Sequence, residues 1–311
     1  MIRNHTIEKI KMVNSRWNPS PNDEMSSTAW TNTFGDVAEN GPRMQKIGKL
    51  REKGYSCEML KALGEKLKTQ GLVTEWVDLT EAWYAARPER MVTVQEKGKE
   101  ARQVPAVPDA GVLVIRKAAQ FILEKEDTKG LQLEQGAFNP DKQALMRVTL
   151  KNKHARWNLC FDEEAQVADL ANGKGTIVPW RELPLTDKIR MKVAEWTDDE
   201  PLRGESNIYY DTSKCGIGGH GDIERRCVFG LRFGTSEKNP LYFSWYQRSE
   251  PVGMPVKLIL EDGDMYAFSE KAVGFDWLKK TIPTLRHAAG CSKYTTFKSK
   301  AKKVKTTVTA E

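Results

Sequence analysis

The sequence has few histidines, no paired cysteines and no long apolar run. The five cysteines are scattered and no Cys-x-x-Cys occurs, so neither a zinc site nor a disulfide framework is indicated. No stretch of about 18 apolar residues is present, which predicts no membrane span. The N-terminus also lacks the apolar segment of a secretory signal. These absences predict an intracellular protein, in the nucleus or the cytoplasm.

Three residues stand out as a candidate metal site. His220 is followed two residues later by Asp222, and on a strand these side chains point to the same face. His287 follows a run of predicted strands. Two histidines and one carboxylate with open positions are typical of a non-haem iron(II) oxygenase. A His-x-Asp pair alone also fits a surface turn, so its surroundings decide between the two.

The surroundings of the pair form an ordered pattern. Asn207-Ile208-Tyr209 precedes it, and several glycines around it keep the backbone slim, as close approach to a ligand requires. Residues 260–266 read as a turn into a strand. A basic segment, 293–298, follows His287.

This order resembles the AlkB-like 2-oxoglutarate- and iron(II)-dependent dioxygenases over residues 108–298. Those proteins have Asn-x-Tyr, His-x-Asp, a Gly-Asp strand, a distal histidine and a basic strand. Within the family, the sequences HGDIERR and RHAAG are most similar to a branch from protists and large DNA viruses. The family usually ends in Arg-x-Asn-x-x-x-Arg, whereas both basic positions here are lysine and the asparagine is absent.

The resemblance assigns roles to individual residues. It implies that iron is held by His220, Asp222 and His287. It also implies that 2-oxoglutarate is contacted by Asn207, Tyr209 and either Lys298 or Lys293, the lysine pairing with the far carboxylate. Glu224 falls where the family contacts the substrate base. The alternative for Glu224 is a surface glutamate paired with Arg225 or Arg226.

The implied function is oxidation of a methyl group on a nucleic-acid base, with iron(II), 2-oxoglutarate and dioxygen. Two alternatives stay open: a hydroxylase or demethylase of a protein side chain, and a non-catalytic nucleic-acid-binding module on the same fold. We expect DNA or RNA as the partner, no membrane association, and a monomer.

Basic residues mark two candidate nucleic-acid contacts. Most of the net charge of +7 lies in residues 293–311, which contain six lysines and one glutamate. Lysines 151 and 153 and Arg156 lie beside Trp157, a combination that can clamp phosphates and stack bases, and we include Arg156 among the substrate-binding residues. The alternative for this segment is a strand edge with solvated lysines and one core tryptophan.

The predicted fold is α+β, with a double-stranded β-helix, or jelly roll, buttressed by helices. Predicted domains are a disordered arm over 1–41, a helical accessory region and linker over 42–107, the dioxygenase domain over 108–298, and a basic tail over 299–311. The spacing of apolar residues predicts two short helices in 42–70, another over 79–86, and further helices over 117–125 and 184–196. It predicts strands over 111–115, 145–150, 227–233, 241–246 and 256–260.

Overall fold

The computed structural model describes residues 27–41, 44–95, 100–146 and 148–297, and this part of the chain is a mixed α and β protein dominated by sheet. The expected α+β class is therefore confirmed at this level. The helices are α1 (Cys57–Thr69), α2 (Thr80–Ala86), α3 (Ala118–Leu123), α4 (Lys129–Gly136), α5 (Pro184–Thr197), α6 (Glu270–Val273) and α7 (Ser292–Thr295).

The larger sheet has eight strands in the order β11-β10-β12-β1-β14-β17-β7-β4. All neighbours are antiparallel except β10 and β11. In chain order the strands are β1 (Ala29–Gly35), β4 (Thr74–Asp78), β7 (Gly111–Ile115), β10 (Trp157–Asp162), β11 (Ile177–Pro179), β12 (Arg203–Tyr209), β14 (Val228–Gly234) and β17 (Met265–Phe268).

A smaller sheet of four strands has the order β13-β18-β15-β16. Its strands are β13 (Gly216–His220), β15 (Leu241–Gln247), β16 (Glu250–Leu258) and β18 (Thr284–Gly290). Three two-stranded ribbons complete the described strands: β2 (Val37–Glu39) with β3 (Lys46–Gly48), β5 (Met91–Val94) with β6 (Arg102–Pro105), and β8 (Gln143–Met146) with β9 (Thr149–Asn152).

The two faces of the larger sheet pack against different layers. Along β14, Phe229, Leu231 and Phe233 point to one face and join a core shared with α1, α3 and α5. Residues on the other face of the sheet, such as Phe268 of β17, join a second core with Phe243 and Leu285 of the smaller sheet. The two sheets therefore lie face to face, and we call the space between them the inter-sheet space.

Strand pairing in the two sheets is nested. The innermost pair is β15 with β16; β14 pairs with β17 around it, and β13 pairs with β18 around both. Continuing outward, β12 pairs with β1, which comes from the N-terminal part of the chain, and not with the segment after β18. β1 thus lies between β12 and β14 at the centre of the larger sheet.

The position of β1 corrects the predicted domains. Residues 29–39 are not a disordered arm, because β1 is buried along its whole length and hydrogen-bonded on both sides. The predicted division at 107 is also wrong, since β4 pairs with β7 in the same sheet and residues 94–108 contain strand β6. Residues 1–26 and the basic tail over 299–311 lie outside the described residues.

Local predictions had mixed outcomes. The strand at 111–115 and the helices at 79–86, 117–125 and 184–196 are confirmed within a few residues. Of the two helices expected in 42–70, the described residues 44–70 form only α1, which has Ser56 as its N-cap, and Lys46–Gly48 is a strand. Instead of one strand at 145–150, Leu145 and Met146 lie at the end of β8, and Thr149 and Leu150 lie at the start of β9, with which β8 pairs. No helix among the described residues has the length and apolar character needed to cross a membrane.

Candidate metal centre

The two histidines of the predicted site face each other across neighbouring strands. His220 on β13 is directly paired with His287 on β18. The register shifts between Ile217 and His220, which marks a β-bulge. A bulge inserts one residue and turns the following side chains to the other face. Because of it, His220 lies on the same face as Ile217 and His287, towards the inter-sheet space.

Asp222 reaches the same place from a loop, not from a strand as predicted. Strand β13 ends at His220, and the backbone N–H of Asp222 donates to the carbonyl of Val273, 3.0 Å away. Gly221 permits this contact, because a Cβ there would lie 2.2 Å from the carbonyl oxygen of Gly274. The loop is thereby packed closely against the end of α6.

The three side chains converge. The Asp222 Oδ1 atom lies 3.4 Å from His220 Nε2 and 3.6 Å from His287 Nε2. All three donor atoms lie within 4.8 Å of one another, close enough to share one metal ion, and the described part of the chain holds no other such group. Asp222 and His287 are buried, whereas His220 is partly exposed, so the site opens on the His220 side.

The electrostatics favour the ionised form of Asp222 and the neutral form of His287, the forms that can bind a metal. Burial would raise the pKa of Asp222, but the Arg225 guanidinium and the two imidazoles outweigh it and hold that pKa well below its usual range. Burial, followed by the neighbouring His220, lowers the pKa of His287. The Nδ1 atom of His220 lies 2.7 Å from the carbonyl oxygen of Gly218, which leaves Nε2 for a metal.

Arg225 connects the site to a group of carboxylates. Its Nε lies 3.6 Å from Asp222 Oδ2, the oxygen turned away from the histidines. Its Nη2 lies 2.9 Å from Glu205 and 3.3 Å from Glu224. The alternative interpretation of Glu224 was a surface residue paired with Arg225 or Arg226. Glu224 does pair with Arg225, but its side chain is mostly buried beside the site. Burial and the Asp222 charge raise its pKa.

Asn207 and Tyr209 lie on β12, two residues apart and therefore on one face. The Asn207 side-chain oxygen accepts from Arg156 Nε at 2.5 Å and from Asn158 Nδ2 at 2.7 Å. Arg156 is thus held next to a predicted co-substrate residue. Tyr209 is buried, with its ring 6.0 Å from the guanidinium carbon of Arg232.

Arg232 and Tyr266 are inter-sheet residues that the sequence interpretation missed. Arg232 alternates with Leu231 and Phe233 on β14 and so points away from the helices. The Tyr266 ring lies over Gly230, where a Cβ would come within 2.0 Å of it. The sequence did offer a signal for Arg232, because this charged residue interrupts the otherwise apolar strand VFGLRFG.

The predicted basic strand after β18 does not form in the described residues. Ser292–Thr295 is a short helix, and Phe297 lies against Tyr246, which stacks on Arg286. Arg286 precedes His287 on β18, so this segment covers the opposite face of the sheet. Lys293 is exposed, with its ammonium 5.3 Å from the Tyr294 ring, and is not brought to the metal centre. Lys298 lies outside the described residues.

Two surface clefts lie elsewhere. A cleft of about 460 Å³ is lined by Arg226, Glu270, Lys271 and Asp276 among others, and these four form ion pairs with one another. A shallow groove runs between α3 and α5. Neither includes a member of the histidine and aspartate group, which stays the strongest candidate for chemistry.

Comparison with known proteins identified a viral relative that matches most of this chain. No family model matches the chain. A protein of Acanthamoeba polyphaga mimivirus, described as uncharacterized protein R156, is 39% identical to it over 264 residues. The matched region spans 85% of this chain and 96% of the viral protein. The similarity therefore extends over most of both proteins.

Proposed function

We propose that this chain, which belongs to the same family as the mimivirus protein, is an iron(II)- and 2-oxoglutarate-dependent dioxygenase that oxidises a methyl group on a nucleic-acid base. The observation that carries the proposal is the convergence of His220, Asp222 and His287, with one open side. When bound, the iron supplies the chemistry that couples 2-oxoglutarate and dioxygen to oxidation of a C–H bond.

The donor set fits iron(II). Two imidazoles and one carboxylate, with positions left for other ligands, are the facial arrangement of non-haem iron oxygenases. Metal ligands must be deprotonated, and the low pKa values of Asp222 and His287 meet that requirement. A catalytic zinc ion can use the same donors, so the discriminating observation is consumption of 2-oxoglutarate.

The nested strand pairing supports a double-stranded β-helix, the jelly roll of the AlkB-like family. In this interpretation β12 to β18 supply seven strands in chain order, and β1 supplies the eighth. Closure by a strand from the N-terminal side accounts for the missing Arg-x-Asn-x-x-x-Arg segment after the distal histidine. The proposed metal centre lies between the two sheets.

The residues around the metal centre have separable tasks. The Arg225 guanidinium lies 3.6 Å from Asp222 Oδ2 and attracts that oxygen by its charge, while Oδ1 faces the histidines. The Gly218 carbonyl fixes the His220 ring. Buried aromatic rings, Phe243 and Phe268, lie 6.3 Å and 5.3 Å from the His287 ring and exclude water from that side. Glu224 lies beside Asp222, in position to accept a hydrogen bond from an exocyclic amine of a base.

Basic and aromatic groups beside strand β12 favour a nucleic acid as substrate. Trp157 is stacked on Tyr210, with centroids 4.2 Å apart, and the Lys142 ammonium lies 4.3 Å from the Trp157 ring. Arg156 adjoins this stack, and the neighbouring strand β9 is exposed along its length. Such surfaces bind phosphates and stack bases.

Succinate release tests the proposal. Purified protein with iron(II), 2-oxoglutarate and air should release succinate fastest with one member of a panel of methylated DNA, RNA and peptide oligomers. Asp222→Ala should release none above background. If a methylated peptide gives the fastest release, the substrate is a protein side chain. If no member gives succinate above the Asp222→Ala background, the proposed activity is wrong.

A further inference from the structure

Arg232 is a buried charge with no counter-charge. Three described arginines are buried: Arg190, Arg225 and Arg232. Arg190 pairs with Asp187, and Arg225 pairs with Glu205, Asp222 and Glu224. Arg232 is 1% exposed, and no carboxylate of the described chain lies within ion-pair distance of it. A guanidinium stays protonated, so burying it unpaired is costly.

Part of its hydrogen-bonding capacity is also unused. Arg232 Nη1 donates to the carbonyl of Asn239 at 3.1 Å, but Nε has no partner. Thr31 lies directly opposite on β1, and its buried Oγ1 also has no partner. Two adjacent donors without acceptors, beside a positive charge, form a site for an anion.

This anion site faces the metal centre. The Tyr209 and Tyr266 rings flank the Arg232 guanidinium at 6.0 Å and 5.9 Å. The Tyr266 ring centroid is 5.0 Å from that of Phe268, which is 5.3 Å from that of His287. Burial raises the pKa of Tyr266 to about 12, and the charges of Arg232 and Asp222 act on it in opposite directions. Tyr266 therefore lies within electrostatic reach of both the anion site and the metal ligands.

We propose that Arg232, assisted by Thr31, binds the far carboxylate of the 2-oxo dicarboxylic acid used at this metal centre. The inference rests on the proposed function and identifies the cationic partner within it. Of the two lysines expected for this role, Lys293 does not reach the metal centre, because the described segment after β18, residues 292–297, runs over the opposite face of the smaller sheet. An arginine also matches a carboxylate with two parallel hydrogen bonds, which a lysine cannot do.

The test compares two ligands that differ only at the far end. Protein loaded with Mn(II), which permits binding without turnover in air-free buffer, is titrated calorimetrically with 2-oxoglutarate and with 2-oxopentanoate. The second acid has the same chain length but ends in a methyl group. Arg232→Met should weaken 2-oxoglutarate about 30-fold or more, since breaking a buried charge pair costs at least about 2 kcal/mol. It should leave 2-oxopentanoate unchanged.

Two further variants sharpen the result. Thr31→Val keeps the side-chain shape and should weaken 2-oxoglutarate about tenfold. Arg190→Met removes a buried arginine from the helical layer and should change neither ligand. Unchanged 2-oxopentanoate binding by Arg232→Met also shows that the variant is folded.

The outcomes separate this inference from the proposed function. If wild-type protein binds Mn(II) but neither acid, the proposed function fails. If wild-type protein binds 2-oxoglutarate and Arg232→Met binds it equally well, the Arg232 assignment is wrong and the function stands. If both acids weaken equally, Arg232 has a structural role and the assignment is likewise wrong.

Discussion

Arg225 and Arg232 are two buried arginines beside the same inter-sheet space, with opposite surroundings. Arg225 contacts three carboxylates, one of which is Asp222 of the proposed metal centre. Arg232 is flanked by two tyrosine rings and has no carboxylate partner in the described chain. One charge is neutralised as soon as the chain folds, whereas the other requires an anion from outside. A fully compensated arginine is therefore structural, and an uncompensated one indicates a ligand.

Loss of Arg225 should have the largest effect on stability. Arg225→Met leaves buried carboxylates without their cation, which costs about 3–5 kcal/mol. Chemical denaturation of metal-free protein measures this. Arg190→Met is the matched control: Glu163 is exposed and Asp187 is partly exposed, so the cost should be much smaller. If the two variants lose the same free energy of unfolding, the ion pairs of Arg225 do not stabilise the fold more than those of Arg190.

Loss of Glu224 should affect substrate oxidation more than co-substrate turnover. Glu224→Ala keeps the proposed metal-binding side chains and the Arg225 contacts with Glu205 and Asp222. We expect about a tenfold loss in oxidation of the methylated substrate, the equivalent of one good hydrogen bond to a charged group. Succinate release without substrate should hold. A parallel fall in both rates would give Glu224 a structural role only.

Loss of Arg232 should hardly change the stability of the ligand-free protein. Replacing an uncompensated buried charge with an apolar side chain is often neutral or stabilising, and the lost bond to Asn239 costs about 1 kcal/mol. We expect Arg232→Met to unfold within about 1 kcal/mol of wild type without 2-oxoglutarate. If Arg232→Met loses as much stability as Arg225→Met, the proposed difference between the two arginines is wrong.

The smallest predicted effect concerns Glu39, beside the acidic group. Burial, followed by the Glu224 charge, raises its pKa from 4.5 to about 7. A raised carboxylate pKa means that the folded state holds a proton which the unfolded state has released. Its contribution to stability is therefore present below pH 4.5 and is lost as the pH rises through 7. Between pH 4.5 and pH 7, the melting temperature of Glu39→Gln should fall less than that of the wild-type protein. If the two melting temperatures change with pH in parallel, the pKa of Glu39 is not raised.

The three converging side chains could be predicted from the sequence, whereas the way they meet could not. Residue types and order were sufficient to single out His220, Asp222 and His287. The bulge before His220 and the loop position of Asp222 depend on pairing with β18 and on contact with α6, which are long-range features. Treating HGD as a continuous strand predicted residues that do converge, but the local geometry it assumed is wrong.

β1 and Arg232 were missed for a related reason. The segment AWTNTFG reads as a polar loop because Thr31 and Thr33 face a polar inter-sheet space, although threonine and aromatic residues favour strands. Similarly, Arg232 was visible as a charge in an apolar strand, but its lack of a counter-ion depends on what both sheets bring to it. Sequence patterns predict which face is buried, and the chemistry of that face follows only from its neighbours across the sheets.

Metal binding by Asp222→Ala tests the central claim most directly. Metal-free wild-type protein should bind one Mn(II) or, without oxygen, one iron(II) per chain in a calorimetric titration. Asp222→Ala should lose more than about a hundredfold in affinity, because changes in groups that only support ligands cost about 10- to 100-fold. Far-UV circular dichroism should show both proteins folded. A wild-type protein that binds neither ion, or a folded Asp222→Ala variant with undiminished affinity, would contradict the account.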